Sequence, residues 1–227
     1  PSDDGQSAQN MGRGGRGVRC MTAFEQFATL LPDVMGWDRA WPWLLAALIG
    51  GYLIGSIPGG VLMTRVMGLG DVRKVGSGNI GATNVLRTGN KKAAAGTLFI
   101  DMIKGVVAVL LFGSLWGDLS AQLAGLGAFL GHCFPVWLRF KGGKGIATFL
   151  GVILGFSFWA GLACCAAWLV FAAVFRISSL AALLMSLTAP VWLWFMGGKG
   201  AIWVALILIV VTWMRHHEQP QRPSLEI

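Results

Sequence analysis

The sequence predicts an all-α integral membrane protein: a bundle of about seven transmembrane helices with glycine-rich cytoplasmic loops. Three observations predict it. Of 227 residues, 55% are hydrophobic and only 12% are charged, where soluble domains carry roughly 25% charge. Mean hydropathy is +0.66. The apolar residues fall in runs long enough to cross a bilayer, and Lys and Arg gather in the short segments between them. A net charge of +8 could suggest nucleic acid, but charges placed between apolar runs are juxtamembrane charges. No nucleic-acid partner is expected.

The first forty residues form no predicted span. Residues 1–20 are rich in Gly, Arg and Ser, with no apolar core that would make a signal peptide. They read as disordered, or as an over-translated stretch with natural starts at Met11, Met21 or Met35. Residues 22–35 can lie in the interface, with Phe24, Phe27, Leu30 and Leu31 on one side. The expected organisation is an extension over 1–40, a transmembrane domain over 41–216 and a cytoplasmic tail over 217–227.

Six apolar runs follow: Trp43–Val66, Ala93–Trp116, Leu119–Leu138, Ile146–Phe175, Ser178–Met196 and Ala201–Met214. The fourth is too long for one span of about 20 residues. Gly155, Ser157 and Gly161 lie near its middle, so it is expected to turn there and make two spans. Arg65, Arg73, Lys74, Arg87, Lys91 and Lys92 follow the first run, and Arg139, Lys141 and Lys144 the third. The positive-inside rule then puts these connections, and the one at Arg176, in the cytoplasm. Lys199 falls in an outside turn as an exception. The four cysteines have no zinc spacing, and Cys164 and Cys165 point to different helix faces. No metal, cofactor or internal repeat is evident.

Four polar segments interrupt the runs. Residues 71–91, DVRKVGSGNIGATNVLRTGNK, mix three inner glycines with Arg73, Lys74, Arg87 and Lys91. Glycines let a backbone aim several N–H groups at one point, and Arg adds a fork that fits phosphate oxygens. A plain positive-inside loop needs the cations but not the tight SGN and GATN runs. RFKGGKGIAT, 139–148, sets Lys144 among glycines at the start of a helix, where amides are free to meet an anion. The spacing is not that of a Walker A loop, and a flexible basic turn is the plain alternative. FRISSL, 175–180, ends one helix, and its serines are expected to cap the next. MRHHEQ, 214–219, puts His216 past the last run, where an imidazole can take a proton or meet phosphate. Within the runs, Asp101 and Lys104 share a helix face and read as a structural ion pair turned inward. His132 reads as a packed, hydrogen-bonded residue.

Taken together, GSIPGG at 55–60, RKVGSGNIGATNVLRT at 73–88, DMIKG at 101–105, GHCFPVWLRFKGGKGIAT at 131–148, RISSL at 176–180 and RHHE at 215–218 resemble one family. It is the bacterial membrane glycerol-3-phosphate acyltransferase family that uses acyl phosphate (PlsY). The resemblance covers residues 43–219 and implies an inner-membrane enzyme with its site on the cytoplasmic side. It would acylate the 1-hydroxyl of glycerol 3-phosphate in the first step of phospholipid synthesis, giving lysophosphatidic acid and phosphate. By motif position it implies substrate or phosphate contacts from Ser77, Asn79, Asn84, Arg87, Gly142, Gly143, Lys144, Glu218 and Gln219. It implies catalytic roles for Lys144, Ser179 and His216. The third motif departs, because Gln219 stands where the family pattern has Asn. Implied partners are glycerol 3-phosphate, acyl phosphate and membrane lipid, with docking of the acyl-phosphate-producing enzyme left open. The competing reading is a transporter of a phosphorylated metabolite, but polar motifs at one face suit interfacial chemistry better than a midplane site.

Overall fold

A computed structural model describes residues 37–218. All regular structure there is helical. The elements are α1 (Trp37–Gly55), α2 (Gly59–Val66), α3 (Ala82–Leu86), α4 (Lys91–Trp116), α5 (Asp118–Cys133), α6 (Ile146–Phe156), α7 (Phe158–Phe175), α8 (Ser178–Phe195) and α9 (Ile202–Glu218). Single 3₁₀ turns lie at Val72–Lys74, Val136–Leu138 and Lys199–Ala201. Among the described residues six helical stretches are long and apolar enough to cross a membrane, and α6 is shorter. Residues 1–36 of the expected extension and 219–227 of the expected tail, Gln219 included, lie outside the described residues, while 37–40 belong to α1 and 217–218 to α9.

The first apolar run is not one helix. It breaks between Gly55 and Gly59, because Pro58 has no N–H to give to a continuing helix. The break leaves the Ile57 carbonyl to be taken by the Lys104 ammonium at 2.9 Å. The fourth run breaks where expected. Ser157 ends α6 with extended backbone and caps α7, its Oγ accepting from Ala160 N.

Small residues set the helix packing. A side chain at Gly51 or Gly55 would strike the Ala124 or Ala128 backbone, and one at Gly127 or Gly131 would strike α1. Lipid supplies no hydrophobic drive between helices, so close backbone approach through small residues does this work. The same close approach joins α4 to α6 through Gly105 and Gly151. Beyond this seam, Phe129, Phe149, Val152, Ile153, Met185, Leu193, Val204 and Leu208 form the main core between α5, α6, α8 and α9.

At 1.5 Å per residue, the 11 residues of α6 rise only about 16 Å, roughly half a bilayer core. The stretch before it makes up part of the difference. Gly142 and Gly143 are buried and bonded to the end of α5: Gly142 N donates to Cys133 O and Gly143 N to His132 O. Irregular backbone is tolerated at depth only when protein satisfies it, as it is here.

The turns sort into two ends. At one, Leu138 packs on the cluster of Val72, Ile80 and Val85, and Arg215 reaches Gly142 and Gly143. At the other, Ser157 Oγ donates to Met196 O at 2.6 Å. The glycine-rich segments 71–91 and 139–145 therefore share an end with the C-terminus of α9.

Candidate active site

Asn84 organises the first polar segment. It is 3% exposed. Its Nδ2 donates to the carbonyls of Val72, Val75 and Asn79 at 3.0, 2.9 and 2.7 Å. Its Oδ1 accepts from Ser77 N and Oγ at 3.1 and 3.3 Å. One side chain thus gathers the loop around itself. Gly76 has φ +51°, and a side chain there would meet Asn84 Oδ1 and the Arg87 side chain. Arg87 therefore lies over the turn that carries Ser77, and both residues are exposed. Asn79 Oδ1 accepts from Gly81 N at 2.8 Å, which helps open α3. At the segment's start, Asp71 accepts from Arg73 through both carboxylate oxygens. That bond holds the Asp71 carboxyl down at about 2 and occupies Arg73.

The second segment is built from beneath by three buried polar residues. Asp101, Lys104 and His132 are 1%, 4% and 3% exposed. Lys104 Nζ donates to Asp101 Oδ1, Ile57 O and His132 Nδ1, each at 2.9 Å. An ammonium has three protons and no lone pair, so these three acceptors saturate it and the His132 proton sits on Nε2. Thr148 Oγ1 donates to Asp101 O at 2.8 Å, fastening α6 to α4. The inward ion pair is as expected from the sequence, and His132 is its third member. A side chain at Gly143 would collide with the His132 ring, and one at Gly142 with the His132 carbonyl.

Arg215 closes the segment from the other side. It is 8% exposed, lies 5.0 Å over the Phe134 ring and donates through Nη2 to Gly142 O at 3.2 Å. Its Nη1 donates to Glu218 Oε2 at 2.9 Å. The Gly142 and Gly143 amides are therefore not open to an anion, against expectation, because α5 carbonyls occupy them. The first-turn amides of α6 remain, before Phe149 N closes on Gly145 O at 2.7 Å.

Lys144 projects half-buried from this frame. Burial, with the Arg87 charge second, lowers its ammonium below the usual 10.5. The Lys144 charge also reaches His216, so Lys144 lies near both Arg87 and His216. His216 is half-buried in the last turn of α9. Its Nδ1 lies 2.8 Å from Thr212 O. A carbonyl only accepts, so Nδ1 carries the proton, and Nε2 of the neutral ring is an acceptor.

The serine cap is a correction. Ile177 occupies the cap position of α8, with no side-chain cap bond, and Arg176 in left-handed backbone ends α7. Ser178 and Ser179 are the first two helical residues. The Ser179 hydroxyl is half-buried and makes no hydrogen bond among the described residues. Trp213 Nε1 reaches Ser186 Oγ at 3.4 Å across the antiparallel α8 and α9, which puts Ser179 at the same end as His216. No contact joins Ser179 directly to Lys144 or His216 among the described residues. The sequence marks Asp101 and Lys104 as an inward pair and His132 as packed, but gives no sign that these three and Arg215 brace the segment bearing Lys144.

This arrangement places a half-buried cation, an exposed arginine, free helix amides and an imidazole acceptor at one end of a membrane bundle. Such a set of groups can hold an anion. A family model described as glycerol-3-phosphate acyltransferase matches residues 45–224. The glycerol-3-phosphate acyltransferase of Agrobacterium fabrum is 56% identical over 178 residues, 78% of this chain and 86% of that protein. Its namesake from Sinorhizobium medicae is 53% identical over 191 residues, 84% and 93% of the two chains. The crystal structure of PlsY, an integral membrane glycerol 3-phosphate acyltransferase, in its glycerol 3-phosphate form superposes with TM-score 0.72 at 33% identity, over 80% of this chain and 96% of that one. The lysophosphatidic acid form gives 0.70 at 32% identity, over 77% and 88%. The chain belongs to the glycerol-3-phosphate acyltransferase family.

Proposed function

We propose that this chain acylates the 1-hydroxyl of glycerol 3-phosphate with acyl phosphate, on the cytoplasmic face of a bacterial inner membrane. The meeting of the two glycine-rich segments and the C-terminus of α9 at one end of the bundle, which brings Arg87, Lys144 and His216 near one another, carries the reading. The catalytic domain runs over 41–216. The hydroxyl oxygen attacks the acyl carbonyl carbon, the bond from that carbon to the phosphate oxygen breaks, and phosphate leaves. The hydroxyl proton ends on a phosphate oxygen. Products are lysophosphatidic acid and phosphate.

Because the donor is already an activated anhydride, the protein has to hold two anions close and offset their repulsion. Arg87 and Ser77 hold one phosphate from the exposed loop, while Lys144 and the first-turn amides of α6 hold the other. Asn79 and Asn84 shape the loop, and Gly142 and Gly143 let α6 start close against His132. Ser179 contributes its unspent hydroxyl. His216 Nε2 accepts from the attacking hydroxyl and aims it. Glu218 steadies Arg215, and Gln219 is a further substrate contact.

The test uses purified full-length protein in detergent. Phosphate release from acyl phosphate should require glycerol 3-phosphate and match lysophosphatidic acid formed. Release that ignores glycerol 3-phosphate would refute the reaction. Activity with acyl carrier protein thioester as sole donor would refute the donor.

A further inference from the structure

The end of the bundle opposite Lys144 carries a second glycine-and-lysine turn. Phe195-Met-Gly-Gly-Lys-Gly200 matches Phe140-Lys-Gly-Gly-Lys-Gly145 at every position but the second. Six residues are too short a match to mark a duplicated unit. Both turns open a helix. The second opens the helical stretch Lys199–Glu218 of 20 residues.

This second turn lines a cavity of about 500 Å³. Its other walls come from α4, α5 and the end of α6, with apolar Val109, Leu110 and Phe156 beside polar Ser114, Asp118 and Gln122. Gln122 is 4% exposed. Its Oε1 is taken by Trp203 Nε1. Its Nε2 has no hydrogen-bond partner among the described residues, and it lies 3.3 Å from where a Gly200 side chain would begin. The Gln122 side chain lines the cavity, so an unpaired amide nitrogen there can donate to an acceptor that enters it. The start of the Lys199 helix adds further donors and positive potential on the same wall.

We propose that this cavity holds a phospholipid headgroup carrying both a phosphate and an ammonium, drawn from the leaflet opposite the transfer site. Phosphate oxygens accept from Gln122 Nε2 and the first-turn amides, with Lys199 at the rim. Asp118, on the same rim, would repel a simple anion but pairs with an ammonium. The acyl chains continue down the exposed apolar face of Leu110, Leu111 and Leu115. Gly200 keeps the wall open. Its φ is not positive, so an added methyl narrows the cavity without straining the backbone.

Thermal unfolding of the full chain in detergent tests this, with dioctanoyl phosphatidylethanolamine, dioctanoyl phosphatidylglycerol, dioctanoylglycerol and inorganic phosphate as probes. The ethanolamine lipid should raise the midpoint saturably. Gln122→Leu and Gly200→Ala should each weaken its apparent affinity at least tenfold while leaving acyl transfer unchanged. Asp118→Asn should erase its advantage over the glycerol lipid. Gly200→Ala leaves the Gln122–Trp203 bond in place, so it decides the matter if Gln122→Leu folds poorly. Equal shifts in parent and Gly200→Ala would overturn the site. A shift from dioctanoylglycerol as large as from the ethanolamine lipid would overturn the headgroup, and the same shift from inorganic phosphate would overturn the lipid.

Discussion

Arg215 Nη2 donates to the Gly142 carbonyl at 3.2 Å and so ties the last helix to a glycine segment 73 residues earlier. The tie holds the segment bearing Lys144 from one side while α5 holds it from the other. Arg215→Met should therefore insert and fold but lose transfer. A hydrogen bond to a charged group contributes roughly 1.5–3 kcal/mol, so kcat/KM should fall about ten- to a hundredfold. Arg215→Lys should recover only part, since a point charge cannot serve both carbonyls as a fork does. Unchanged kinetics in the Met variant would show that Lys144 is held without Arg215.

Lys104 and Asp101 should behave as a unit. Removing the ammonium leaves a carboxylate buried and uncompensated, and breaking such a pair costs about 3–5 kcal/mol. Lys104→Met should lower the unfolding midpoint sharply. The double variant Asp101→Asn, Lys104→Met should be milder than that single one, because no bare charge remains. Additive losses, measured in a double-mutant cycle, would mean the two residues are independent.

The spans were legible in the sequence, and so was the turn at Ser157, because hydropathy and small polar residues act locally. The inward ion pair was legible from spacing within one helix. The break at Pro58 was not, since Ile57 and Pro58 are as apolar as their neighbours. Arg215 was equally hidden. It read as one more cation at a helix end, and only packing against Phe134 turns it inward. The Gly142 and Gly143 amides looked free because nothing local reveals that α5 carbonyls approach them. Asn84 looked like a ligand among ligands, and its five bonds to the loop come from a fold no spacing rule encodes.

Lys144 makes a pH prediction with a definite sign. Its ammonium titrates below 10.5 because of burial and Arg87. In the empty site the ammonium is thus less favourable than in water; the protein carries that penalty below the pKa, where Lys144 is charged, and sheds it as pH rises through the pKa. A phosphate docking beside it reverses the balance and raises the pKa. Glycerol 3-phosphate binding should therefore take up protons in the alkaline range and weaken as pH rises past the empty-site pKa. Calorimetry in buffers of different ionisation enthalpy measures the uptake, and Lys144→Met should abolish it. Equal uptake in that variant would assign the proton elsewhere.

Asn84 separates shaping from contact. All of its polar capacity is spent on Val72, Val75, Ser77 and Asn79. Asn84→Asp keeps the acceptor and loses the three donated bonds. The loop should loosen, KM for glycerol 3-phosphate should rise at least tenfold, and added protease should cut within 72–90. An intact loop together with a raised KM would instead make Asn84 a direct ligand.

His216 carries the last prediction. Its Nδ1 proton is committed to the Thr212 carbonyl, so Nε2 of the neutral ring is left as an acceptor. Among the described residues no carboxylate stands behind Nδ1 to stabilise an imidazolium, and Glu218, the nearest acid in sequence, is paired with Arg215. The ring is thus arranged to aim a hydroxyl rather than to keep its proton, and the donor phosphate is the better final acceptor. His216→Ala should raise KM for glycerol 3-phosphate more than it lowers kcat. His216→Gln, whose amide oxygen still accepts but does not act as a base at neutral pH, should retain most of the turnover. The acidic limb of the rate profile should persist in both, because phosphate ionisation near ~6 remains. Were His216 the base, both variants would lose that limb and kcat would fall roughly 10²–10⁴-fold. A rate profile of His216→Gln at saturating glycerol 3-phosphate separates the two outcomes, because saturation removes the binding contribution and leaves only the proton's path.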